Sequence, residues 1–201
     1  MNPLKKISCA AFAFAASCLS SPANIVLNGS FEENDGDLSH WTYINLDGSA
    51  LYVAPSGFAG YTAEDGNRFA GYSAQPRGGY VTLTQDLATG PGTYEFEFWL
   101  NTANAADASF LNVNWGGLQV LQLTPGDGTF GWTHYDYLVT AAGGTTAISF
   151  SGLNSQAYFA LDNVSVTQVP DAGVGLITLG VTLCGLSAWS QRSRLRALPR
   201  R

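Results

Sequence analysis

Cysteine is missing from the whole stretch between Asn24 and Gln168: Cys9 and Cys18 fall in an apolar run at the start of the chain, and Cys184 in another near its end. Disulfide staples, thiol catalysis and cysteine-ligated zinc are thereby excluded from that stretch. Basic residues are nearly as scarce, with fourteen Asp and Glu against Arg68 and Arg77 alone, while the seven other basic side chains lie in the two ends. So acidic a surface repels phosphate backbones, and nucleic acid is excluded as a partner. Histidine is limited to His40 and His134, no His-Glu-x-x-His occurs, and Gly71-Tyr-Ser-Ala-Gln75 lacks the closing glycine of a nucleophile elbow. A serine triad is disfavoured on those grounds. The 201 residues leave room for one domain of ordinary size plus appendages.

What is present at the two ends reads as targeting. Lys5 and Lys6, the 13-residue apolar segment from Ile7 to Leu19, and Ser21-Pro22-Ala23 have the layout of a secretory signal over residues 1–23. Ala172 to Trp189 is a run of 18 residues without a charge, which as a helix spans about 27 Å, close to the thickness of a bilayer's hydrocarbon core. Arg192, Arg194, Arg196, Arg200 and Arg201 follow it. By the positive-inside rule they hold that end in the cytoplasm and leave the acidic middle outside.

Between the ends the expectation is all-β. From Asn24 to Gln168, Gly and Pro punctuate the chain every eight to fifteen residues, and the runs between them alternate at period two. Val81 and Leu83 alternate with Thr82 and Thr84; Tyr94, Phe96, Phe98 and Leu100 with Glu95, Glu97 and Trp99; Leu111, Val113 and Trp115 with Asn112 and Asn114. Thr146 to Ser151 gives a further short strand, and Trp41 and Trp132 are expected in the core. Half-buried antiparallel strands of this kind pack as two sheets, a β-sandwich over residues 24–168.

Two resemblances extend this reading. Val169-Pro170-Asp171, the apolar span and the arginines, Arg192, Arg194 and Arg196 among them, resemble the tripartite C-terminal sorting signals of the PEP-CTERM class, in the variant that begins VPD. That resemblance implies recognition by an exosortase-type membrane protease, a transient inner-membrane anchor removed near the motif, and delivery to the cell surface or extracellular matrix of a Gram-negative bacterium. In the middle, Asn24-Ile-Val-Leu-Asn-Gly-Ser-Phe-Glu32, then Asp65-Gly-Asn-Arg-Phe69, Gly92-Thr-Tyr94 and Phe159-Ala-Leu-Asp-Asn-Val-Ser-Val166 resemble the galactose-binding-like jelly rolls, which include carbohydrate-binding modules and choice-of-anchor proteins. That likeness implies a non-catalytic extracellular jelly-roll β-sandwich, often with a structural calcium where first and last strands meet.

Candidate site residues follow from parity. Glu95, Glu97 and Trp99 share the wet face of one strand, Asn112 and Asn114 that of the next. An aromatic plate among amides and carboxylates suits a sugar's apolar face and its hydroxyls, so these five are the expected glycan site. As a glycosidase pair Glu95 and Glu97 fit poorly, since carboxylates on a wet strand face both stay ionised and neither serves as general acid. In the last strand Phe159 and Leu161 have one parity and Val164 and Val166 the other, which predicts a bulge at Asp162 and Asn163. An Asp162 turned inward beside Glu32 calls for a cation, and oxygen ligands suit calcium; an Asp162 that closes a turn on backbone amides needs none. The functional expectation is an exported protein that binds glycan or matrix polymer, ahead of a purely structural surface component and, last, a glycoside-active enzyme.

Overall fold

The computed structural model describes residues 22–44, 49–74, 80–102, 110–153 and 159–170. It contains β1 (Thr42–Ile44), β2 (Ser49–Pro55), β3 (Arg68–Ala74), β4 (Val81–Thr102), β5 (Phe110–Trp115), β6 (Leu118–Leu123), β7 (Phe130–Leu153) and β8 (Phe159–Gln168). Short 3-10 turns are the only helical elements among the described residues, and no helix there is long and apolar enough to cross a membrane. The span expected at 172–189, Asp171, the arginines after the span and nearly all of the expected leader lie outside the described residues.

All pairings are antiparallel, in the order β2-β3-β8-β4-β7-β5-β6, with β1 added to β4. Two strands carry the architecture. β4 runs 22 residues and β7 runs 24, paired from Val81 with Gly152 to Thr102 with Phe130. The runs at 81–85 and 94–100 are therefore one strand, and so are those at 135–139 and 146–151. Gly90-Pro91-Gly92 and Gly143-Gly144 bend the pair without breaking it. Gly92, Gly143 and Gly144 have φ of 151°, 97° and 95°, and a Cβ on Gly143 would lie 3.1 Å from the Pro91 ring. The Tyr94 hydroxyl ties the bend, accepting from Gly90 N at 2.9 Å and donating to Gly90 O at 3.0 Å.

The bend sends the two halves of each long strand into different layers. The first half of β4 and the second half of β7 join β1, β5 and β6; the other halves join β8, β3 and β2. Side chains meet across the fold: Phe98 lies 5.2 Å and Phe96 6.0 Å from Phe150, and Phe96 5.8 Å from Trp115, ring to ring. The expected alternation holds, with Tyr94, Phe96, Phe98, Leu100, Leu111, Val113 and Trp115 buried in one core. Trp41 joins it, its indole N–H donating to Asn28 O at 3.0 Å. Among the described residues, every buried side chain of this core falls between Val26 and Val166.

Trp132 is a correction. It packs with Ala54, Tyr61, Phe69 and Ala160 in a separate small cluster on the outer side of the second layer and donates to Thr62 O at 2.7 Å. Period two located the dry residues without saying which of two dry faces each belongs to, and here the segment 56–67 covers part of the sheet's outside. The bulge in β8 stands as expected: Glu97 pairs with Ser165 and Trp99 with Asp162, so Asn163 and Val164 of β8 oppose Phe98 alone of β4, and Asn163 has φ of 48°.

Candidate functional site

The outward face of the second layer is three strands wide where segment 56–67 leaves it open. On β4 it carries Glu95, Glu97 and Trp99; across from them on β7 stand Leu138, Asp136 and His134, and on β8 Thr167 and Ser165, while Asp162, opposite Trp99, is buried beneath segment 56–67. Directly opposed residues share a face, which makes these side chains neighbours. His134 stacks on Trp99 with ring centres 4.9 Å apart and planes 29° from parallel. Its Nε2 is 3.1 Å from Glu97 Oε1, and the Ser165 hydroxyl donates to Glu97 Oε2 at 3.3 Å. Carboxylate oxygens of Glu95, Glu97 and Asp136 lie within 4.8 Å of one another. Trp99 is half-buried, unlike the fully buried Phe98 and Leu100 beside it.

Asn112 and Asn114 are not part of this face, contrary to expectation. β5 pairs with residues 148–153 of β7, in the first layer, so Asn112 lies opposite Ser151 and Asn114 opposite Ser149 on the outside of the other sheet. Asn114 Nδ2 donates to Ser149 Oγ at 3.2 Å, and Asn112 Oδ1 is buried without a partner. The reason is the bend in β4 and β7, which separates strands that follow one another in the sequence.

Glu32 and Asp162 converge on one loop. Glu32 Oε1 accepts the amides of Asn67 and Arg68, both at 2.6 Å; Asp162 Oδ2 accepts those of Glu64 and Asp65 at 2.8 and 3.1 Å, and Oδ1 that of Asn163 at 2.8 Å. Burial pushes the Asp162 carboxyl up from 3.8 to about 7, although those three amides pull the other way and Glu64 adds a smaller push upward. Both carboxylates retain lone pairs beyond these amides, and Glu32 borders a polar hollow of about 360 Å³ with Asp65, Asn28 and Asn163. Asp162 does not border that hollow, and the amides of the 64–68 loop meet both carboxylates, which suits the turn-closing role.

His134, Asp136 and Ser165 escaped the sequence reading. Their signal was present in part, since the alternation of Tyr135, Tyr137 and Val139 turns His134 and Asp136 outward. Only the pairing of β7 and β8 with β4 brings them to Trp99.

No family model matches the sequence, and no curated protein does. Solved structures do. The chain is similar to TmCBM61 in complex with β-1,4-galactotriose, at 17% identity over 73% of this chain and 99% of that one, TM-score 0.56. It is similar to the CBM22-1 xylan-binding domain of Paenibacillus barcinonensis Xyn10C, at 15% identity over 76% and 98%, TM-score 0.52. It is also similar to the Stig cyclase Fisc from Fischerella sp. TAU, at 16% identity over 75% and 99%, TM-score 0.53. The fold is thus that of carbohydrate-binding jelly-roll domains. Because an enzyme shares it, function has to be argued from the site.

Proposed function

We propose that this protein is an exported, non-catalytic domain that binds glycan or matrix polysaccharide through the outward face around Trp99. The observation that carries the reading is the Trp99–His134 stack, set on an open strand face among Glu95, Glu97, Asp136, Ser165 and Thr167. An indole presents an apolar plate to the C–H face of a sugar ring, while carboxylates and hydroxyls receive its O–H groups. Two of the similar structures are sugar-binding modules by name, which supports the same class of ligand. Catalysis has less support: the ion-pair partner of each histidine is a glutamate, His40 with Glu33 and His134 with Glu97, and Ser165 bonds to Glu97. No serine–histidine relay follows from those pairings.

The reading includes a structural calcium held by Glu32 and Asp162 at the 64–68 loop, where it would supply charge neutralisation. It also includes surface sorting by Val169, Pro170, Asp171 and the arginines beyond, with an exosortase-type protease and the inner membrane as transient partners. Val169 N donates to Thr93 O at 2.8 Å, so the chain leaves β8 beside the bend in β4. Deleting residues 172–201 is expected to release the domain into the periplasm or medium, whereas Ser in place of the five arginines should impair retention and tail processing. Fractionation with an antibody to the domain tests this; identical distributions of the intact and truncated chains would contradict it.

A further inference from the structure

The charge around Trp99 is unbalanced in a way that sugar hydroxyls do not correct. Glu95, Glu97 and Asp136 bring three carboxylates within 4.8 Å, and among the described residues the only Lys or Arg is Arg68, which pairs with Asp35 at 2.6 Å. His134 is the one cationic candidate on the face, and it reaches Glu97 alone. Exposed carboxylates by themselves mark nothing. Here, however, they border a half-buried indole that His134 stacks on one face, and carboxylates beside an aromatic ring make a receptor for an organic ammonium.

We propose that the glycan taken by this face is amine-bearing, a polymer containing deacetylated amino sugars, and that Trp99, Glu97 and Asp136 select the free ammonium over its acetylated form. The inference rests on the Trp99 face being the glycan site. Uronate-rich polymers are repelled by the same carboxylates. An inorganic divalent cation would satisfy the charges but leave the indole without a role, and so the organic cation is the better occupant.

The test uses residues 24–168, which contain every core side chain among the described residues, titrated at low ionic strength with a β-1,4-linked glucosamine trimer, its fully N-acetylated counterpart and a galacturonate trimer. The glucosamine trimer should bind about tenfold tighter than the acetylated one, the galacturonate trimer should not bind, and added salt should shrink the preference. Asp136→Asn and Glu97→Gln should each reduce the preference to about threefold or less, and Trp99→Ala should weaken both sugars together. Equal or tighter binding of the acetylated trimer, lost in Trp99→Ala, overturns the amine selectivity and leaves the glycan face standing. Glucosamine binding that survives Trp99→Ala places the ligand elsewhere and overturns the glycan face. Binding of none of the three, or calcium binding at Glu97 and Asp136 with no preference among the sugars, overturns the inference outright.

Discussion

Replacing Phe98 with alanine is expected to destabilise the domain by about 3–5 kcal/mol, the range for emptying a buried aromatic site. Phe98 has no exposed surface and sits against Phe96 at 5.1 Å, Phe150 at 5.2 Å and Tyr135 at 5.4 Å, the last nearly parallel. These rings belong to both layers, so the cavity would open where the sheets close on each other and could not collapse without separating them. Domains of this size hold about 5–15 kcal/mol in total, and the melting temperature should fall by roughly 10–20 °C. Trp99→Ala, one residue further along β4, should cost less than about 1 kcal/mol because that ring faces outward. Denaturant unfolding of the two variants provides the comparison. Equal losses would mean that Trp99 is packing and that the outward face has been misassigned.

The second large effect concerns Asp162. Its carboxyl titrates near 7 in the folded protein against an ordinary 3.8, because it has no exposed surface. A raised carboxyl binds its proton more tightly in the folded state, so the stability it contributes is full below about pH 4 and is lost as pH rises through 7. The whole effect is on the order of 4 kcal/mol. Asp37 and Asp127, both lowered by hydrogen bonds to Ser39 and Thr124, work in the opposite sense and only at pH near or below 3.8. Asp162 thus acts across the interval between pH 4 and 7, away from the range of those two carboxyls. The metal-free domain should melt higher at pH 5 than at pH 7.5, and Asp162→Asn should flatten that difference. Calcium changes the sign, since a cation beside Glu32 and Asp162 favours the ionised form. A hundredfold excess over its dissociation constant would add about 2.7 kcal/mol at neutral pH. Melts of residues 24–168 at both pH values, with chelator and with calcium, separate the two roles. A response to pH but none to calcium, with no calcium found by elemental analysis, would leave Asp162 as the residue that closes the 64–68 loop.

The sequence made the sandwich legible wherever a side chain alternates between core and water. Tyr94 to Leu100 and Leu111 to Trp115 fall into the two faces that their parity indicates, and the change of parity between Leu161 and Val164 marks the β8 bulge at the right residue. Partnership between strands was not legible. Gly90-Pro91-Gly92 looks like a turn that ends a strand, yet in β4 it bends one strand into the other layer, a choice made by the pairing with Gly143 and Gly144 rather than by local preference. That single bend carries Asn112 and Asn114 away from Trp99 and brings in His134, Asp136 and Ser165. Trp132 was assigned to the wrong cluster for a related reason, because nothing in its neighbourhood in the sequence announces that residues 56–67 fold over the outer face to meet it.

The central claim, that the face around Trp99 binds sugar, is tested most directly by a glycan-binding screen on residues 24–168 run in parallel with Trp99→Ala. The account predicts that the parent domain binds one or more glycans, and that the variant loses about 1–2 kcal/mol of affinity, roughly five- to thirtyfold, with a melting temperature nearly unchanged. Undiminished binding by a folded Trp99→Ala domain, or no glycan bound by a folded parent, would contradict it.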